Sequence, residues 1–152
     1  MLPTRLYFSN AVGSVLFVPE SFVYLHFTGE PMSSPELRAL YVHAANLLAR
    51  YRLSGILADH RAMPAAFETP DREWLLTEWL PHTVPPPPPV VRYAVLPSPS
   101  ATRRLHTEAV LQELAQYLIV QVFEDLDSAA NWLKAGNDPT QAAAAAAATA
   151  TP

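Results

Sequence analysis

Phe22-Val23-Tyr24-Leu25-His26-Phe27, the run from Ser34 to Tyr51, and Gly55-Ile56-Leu57-Ala58-Asp59 together decide the fold. The first stretch is apolar at nearly every position and rich in aromatic and β-branched residues. That predicts a central strand covered on both faces. In the second, Ser34 precedes Pro35, as an N-cap before a proline in the first helical position. Leu37, Leu40, Tyr41, Ala44, Leu47, Leu48 and Tyr51 then recur at helical spacing. Ser54-Gly55 ends this helix, and Ile56 to Asp59 reads as a short buried strand. A strand, a helix and a strand in this succession predict a parallel pair joined by a crossover.

Working outward, Leu6-Tyr7-Phe8 and Val15-Leu16-Phe17-Val18 are separated by turn residues at Asn10 to Gly13 and followed by Pro19-Glu20-Ser21. Short turns between strands predict antiparallel neighbours. Downstream, Thr69-Pro70-Asp71 opens a second helix with Leu75, Leu76 and Trp79 on its apolar stripe, and Pro81 stops it. Val90 to Leu96 reads as a strand. Ser98 or Ser100 caps a third helix lined by Thr107, Val110, Leu111, Leu114 and Leu118. Leu118 to Phe123 is a further strand. Asp125 caps a last helix with Leu126, Ala129, Ala130 and Leu133 inward, Trp132 buried beside them, and Gly136 as a left-handed terminator. The expected order is β-β-β-α-β-α-β-α-β-α. It describes an α/β domain with a mixed sheet of about five to six strands, antiparallel first and parallel later, with helices packed on it.

The 152 residues suffice for one domain with a real core. It is expected over residues 1–136, with Pro85 to Pro89 as an internal polyproline spacer and residues 137–152 as a disordered alanine-rich tail. Net charge is −4 and the isoelectric point is near 5.7. Arg103-Arg104 is the only adjacent basic pair. This charge pattern points away from nucleic acid and from anionic lipid as partners. The chain has no cysteine, so disulfides, thiolate metal sites and a cysteine nucleophile are excluded. The uncharged run from Leu6 to Pro19 is broken by Ser9, Asn10 and Ser14 and falls short of the ~18 apolar residues of a membrane span. It makes a poor signal peptide as well. No stable membrane insertion and a cytoplasmic location are therefore expected.

The candidate binding residues are Asp59, His60 and Arg61, at the end of a predicted parallel strand, where ligands collect in sheets of this type. Asp59 can hold the tautomer of His60, or Arg61 can bind an anion. Alternatively, Asp59 caps the following loop and pairs locally with Arg61. As a loop residue, His60 is expected to be partly exposed. His26, in an apolar strand, reads as a hydrogen-bonded core histidine, and His43 and His106 as surface residues. No two histidines have H-x-H or H-x-x-x-H spacing, so no metal site is assigned. Glu73 and Glu78 sit about 140° apart on a helix and read as a solvated face. Trp74 and Trp79 read as core packing. No G-x-S-x-G, Walker, Rossmann or kinase element occurs, and no cofactor or catalytic residue is assigned.

Three places resemble the SpoIIAA-like (STAS/SEC14-type) small bacterial domains: the early strand ending Phe27-Thr28-Gly29 before a long helix; Gly55-Ile56-Leu57-Ala58-Asp59-His60-Arg61; and Phe123-Glu124-Asp125-Leu126-Asp127-Ser128-Ala129-Ala130-Asn131-Trp132-Leu133. The likeness spans roughly residues 5 to 135. It implies a noncatalytic regulatory or protein-interaction module. Its SEC14-type side implies the alternative of an apolar pocket for a small lipophile. Related anti-sigma-factor antagonists are switched by phosphorylation of a serine after the central strand. Here that stretch, from Asp59 onward, has no hydroxyl until Thr69. A hydrolase using Asp59 and His60 is the third reading. Neither the partner nor the oligomeric state follows from these residues.

Overall fold

The computed structural model describes residues 3–65, 67–84 and 91–136, without the side chains of Ala101, Arg103 and His106. The expected proline spacer, the tail beyond Gly136 and the surface placement of His106 lie outside the described residues. Six strands form one sheet whose spatial order follows the chain: β1 (Arg5–Ser9), β2 (Gly13–Val18), β3 (Phe22–Phe27), β4 (Gly55–Asp59), β5 (Arg92–Leu96) and β6 (Ile119–Val122). The β1–β2 and β2–β3 pairs are antiparallel; the β3–β4, β4–β5 and β5–β6 pairs are parallel. This is the expected mixed α/β sheet.

Each parallel pair is bridged by helix. α1 (Ser34–Tyr51) joins β3 to β4, and α4 (Ala101–Leu114) joins β5 to β6. Between β4 and β5 run α2 (Thr69–Trp74), a π-helical turn (Leu75–Trp79) and α3 (Leu80–Thr83), as one continuous rod. Strands added in chain order by crossovers of one hand put every crossover helix on one face. Accordingly Leu37, Leu47, Leu75, Trp79, Val110 and Leu114 from these helices share one core with Val23, Leu25, Ile56, Ala58, Tyr93 and Val95. The opposite face is covered by α5 (Leu126–Ala135), whose Ala129, Ala130 and Leu133 pack with Phe22, Tyr24, Leu57, Ala94 and Leu96.

Several local expectations are corrected. Each of the first two helices starts one residue early: Ser33 and Glu68 hold the N-cap positions, so Pro35 and Pro70 stand second in their helices. Pro81 does not stop its helix. A proline inside an α-helix lacks the N–H and crowds the carbonyl of residue i−4. Here the backbone widens into the π-turn just before it, with the Leu80 N–H bonding the Leu75 carbonyl, and the helix continues to Thr83. Left-handed backbone terminates α1 at Arg52 (φ 52°), ahead of Ser54-Gly55. Gly136, by contrast, is right-handed (φ −65°). Its lack of a side chain answers a close approach: an added Cβ would lie 2.7 Å from Arg92 Cδ. Gly13 is constrained in the same way, since a Cβ there would lie 2.5 Å from the His26 carbonyl oxygen across the β2–β3 ladder.

The histidines also redistribute. His26 is exposed on β3: it shares the face of Phe22 and Tyr24 but lies beyond the part that α5 covers. His43 is half-buried under β1, stacked on Phe8 at 3.9 Å between ring centres. The core histidine is His60.

The closing helix keeps its expected cap. The Asp125 carboxylate accepts the Ser128 N–H at 2.8 Å and the Ser128 hydroxyl at 2.9 Å. Ala129, Ala130 and Leu133 face the sheet as expected, and Leu126 packs half-buried at its edge. The sequence predicts a largely buried ring at Trp132. Trp132 is only half-buried, flanked by Phe123 and with the Arg92 guanidinium 5.0 Å from its ring centre. Trp132→Ala should therefore cost about 1–2 kcal/mol, less than a fully buried tryptophan, and exposed Lys134→Ala should stay within about 0.5 kcal/mol. Urea unfolding of both variants checks the docking of α5; equal stabilities would show it undocked.

Candidate functional site

The residues of interest sit where β4 ends. All of β4 is buried, and its side chains alternate between the two faces: Ile56 and Ala58 join the core under the crossover helices, and Leu57 the core under α5. Continuing this period-two alternation puts Asp59 on the α5 side and His60 on the helix-rich side. The three expected residues thus separate into two sites.

On the α5 side, Asp59 is the hub of a polar network. Its Oδ2 accepts the Tyr24 hydroxyl at 2.7 Å and Arg61 Nη2 at 2.8 Å. Its Oδ1 accepts Arg61 Nε at 2.9 Å and the Arg61 backbone N–H at 3.1 Å. This is the loop cap and local ion pair. Burial alone would raise the Asp59 carboxyl, but the bonds from Arg61 and Tyr24 outweigh it and hold the group below its ordinary value. The same burial, together with the Asp59 charge, pushes the Tyr24 hydroxyl above its ordinary range. The guanidinium fork of Arg61 is filled by Asp59, although the side chain is 49% exposed. Its Nε–Nη2 side is therefore taken, and its Nη1 edge is what remains toward solvent.

On the helix-rich side, His60 is 4% exposed, in contrast to the expected loop exposure. The reason is that its backbone still belongs to the sheet: its N–H donates to the Leu96 carbonyl at 2.9 Å, and its own carbonyl accepts from Met63 N–H at 3.1 Å. The side chain is consequently carried inward, against Phe27 and Phe67, with ring centres 5.6 and 6.0 Å away. Neither ring nitrogen has a hydrogen-bond partner among the described residues. Asp59 does not hold its tautomer. Burial drives the imidazole pKa down to about 4, against a smaller opposing pull from the Asp59 charge, so the ring is neutral at pH 7. No family model, curated protein or solved structure matches this chain.

The His60 ring opens into a cleft of about 450 Å³ between the β4–α2 loop, the π-turn and α4. Its walls are Met63, Phe67, Leu75, Val110, Leu111 and Leu114, with Arg72, Thr107 and Tyr93 as the further polar side chains. At its floor the Tyr93 and Tyr41 hydroxyls face one another at 3.4 Å. Burial pushes Tyr93 up to about 12 and Tyr41 well above its ordinary value, so both remain protonated. Among the described residues, no group of three or more His, Asp or Glu side chains could hold a metal ion, and no helix is long and apolar enough to cross a membrane. Glu73 and Glu78 are exposed, and Trp79 is core, as the sequence indicated.

Sequence reasoning missed Tyr24, Phe67, Arg72 and Tyr93 as site residues. The period-two alternation through Ile56-Leu57-Ala58-Asp59-His60 was the signal that separates Asp59 from His60. Combined with the strand-end rule, the inward stripe of α4 points to the cleft wall.

Proposed function

We propose that this chain is a noncatalytic binding module whose cleft receives one small, slender, mostly apolar molecule bearing a hydrogen-bonding group, and that occupancy of the cleft is the regulatory input. One observation carries the reading: a buried imidazole with both nitrogens unbonded faces an apolar cleft. A buried polar group without a partner costs about 1–3 kcal/mol. Such a group persists where a ligand supplies the missing bond. A neutral imidazole offers one donor and one acceptor, enough to orient a hydroxyl, carbonyl or carboxyl. Largely apolar walls with a few convergent polar groups are the usual make-up of small-molecule sites.

Two further features support binding over hydrolysis. His60 has no carboxylate to orient it and no hydroxyl within hydrogen-bond reach, so the Asp59–His60 relay is not formed. The Asp59 carboxylate is spent on Arg61 and Tyr24. The resemblance to SpoIIAA-like domains fits a regulatory role, and its SEC14-type side fits a lipophile pocket.

Titration with p-cresol, a neutral probe with one hydroxyl, tests this reading. The Met63 methyl and Phe67 ring signals should shift saturably in NMR spectra. At a probe concentration a hundred times Kd, the protein should gain about 2.7 kcal/mol of stability. Val110→Phe, which fills the cleft, should abolish both effects. Unmoved Met63 and Phe67 signals in the folded wild-type protein would overturn the reading.

A further inference from the structure

Resting on that binding reading, the charges around the cleft narrow the class of ligand. Among the described side chains that line the cleft, Arg72 is the only charged one, and none is a carboxylate. Arg72 is half-buried, and its guanidinium has no hydrogen-bond or ion-pair partner among the described residues. The acid next to it in sequence, Asp71, is committed elsewhere: its Oδ1 accepts Arg38 Nε at 3.0 Å and the Ser34 hydroxyl. Other arginines near the sheet are engaged, Arg61 by Asp59 and Arg92 by the Trp132 carbonyl. Arg72 therefore presents an uncompensated positive charge at the wall of an apolar, partly enclosed space. There the attraction of an anion is less screened than in open water.

We infer that the cleft selects small apolar carboxylates, with the carboxylate held between Arg72 and His60 and the hydrocarbon part among Phe67, Leu75, Val110 and Leu111. A guanidinium presents a planar fork that matches a carboxylate. The ring N–H of His60 adds one donor, and the acid brings the negative charge that Arg72 lacks.

Titration at pH 7 with isovalerate and phenylacetate, each beside its neutral amide, tests the inference. Each carboxylate should bind the wild-type protein about tenfold tighter than its amide or more, as expected for charge-assisted hydrogen bonds. Arg72→Gln should bring carboxylate and amide within about twofold of each other, chiefly by weakening the carboxylate. Amides that bind as tightly as the acids, or an acid preference that survives in Arg72→Gln, would overturn the carboxylate assignment and leave the binding reading standing. If neither acids nor amides move the Met63 and Phe67 signals, both fall together.

Discussion

Trp79→Ala should cost about 4 kcal/mol, a large share of the ~5–15 kcal/mol by which a small domain is stable. Trp79 is 4% exposed and lies in the π-turn, at the meeting of the α2–α3 rod with α1. Its indole N–H donates to the Tyr41 carbonyl at 2.6 Å, and its ring meets that of Tyr41 edge-on with centres 5.2 Å apart. Truncation removes the burial, the hydrogen bond and the ring pair at once, and leaves a cavity that rigid neighbours cannot close. Trp79→Phe keeps most of the apolar area but loses the N–H donor, so about 1–2 kcal/mol is expected. Trp74→Ala is the contrast. Trp74 is half-buried with the Arg38 guanidinium 5.3 Å from its ring centre, and about 1 kcal/mol should be lost. Urea unfolding followed by far-ultraviolet circular dichroism measures all three. A loss below about 1 kcal/mol for Trp79→Ala would mean that the rod is not docked on α1.

The second large effect belongs to His60 and appears with pH. An unfolded histidine titrates near 6.5, whereas the folded imidazole titrates at about 4 because burial disfavours its charge. Within that window the unfolded chain takes up a proton that the folded chain refuses. The stabilisation is complete above pH 6.5, is lost as pH falls, and levels off below about 4. The whole difference corresponds to about 3 kcal/mol, roughly three quarters of it lost by about pH 4.5. The depressed Asp59 carboxyl acts at lower pH, where its stabilisation is lost as pH falls through its folded value. His60→Leu, of similar size and without a titrating group, should remove the loss between pH 7 and 4.5. It should also be about 1 kcal/mol more stable than wild type at pH 7, since it no longer buries two unbonded nitrogens. Paired denaturant midpoints at the two pH values check both statements. A wild-type protein equally stable at both would contradict the burial of the ring.

A substitution that stabilises the fold and abolishes binding would mark a position kept for function at the expense of stability. The corresponding signal in the sequence was ambiguous. Strand and helix order, the parallel part of the sheet and the Asp125 cap were legible because apolar periodicity and capping residues are local features. The Asp59–Arg61 pair was also legible as one of two alternatives, since two residues of separation suffice to close it. What was not legible depends on depth and on face. His26 looked internal from its apolar neighbours, yet it lies beyond the part of its face that α5 covers. His60 looked external because Pro64 and Ala65 follow it in a loop, yet its backbone bond to Leu96 keeps it in the sheet. Pro81 read as a helix stop because widening into a π-turn leaves no mark in the pattern of Leu75, Leu76 and Trp79. Arg72 carries no motif. Its significance arises only when Asp71 is seen to be taken by Arg38, a contact 33 residues away in sequence.

The central claim is that the His60 ring is the group that a ligand bonds. Nitrogen-15 NMR of the His60 imidazole at pH 7, recorded free and saturated with p-cresol, tests it most directly. In the free protein the ring should show the spectrum of a neutral, unbonded imidazole. On saturation at least one ring nitrogen should shift with the same dissociation constant as the Met63 methyl. A His60 ring that stays unchanged while the Met63 methyl saturates would contradict the claim, because the cleft would then fill without using its buried imidazole.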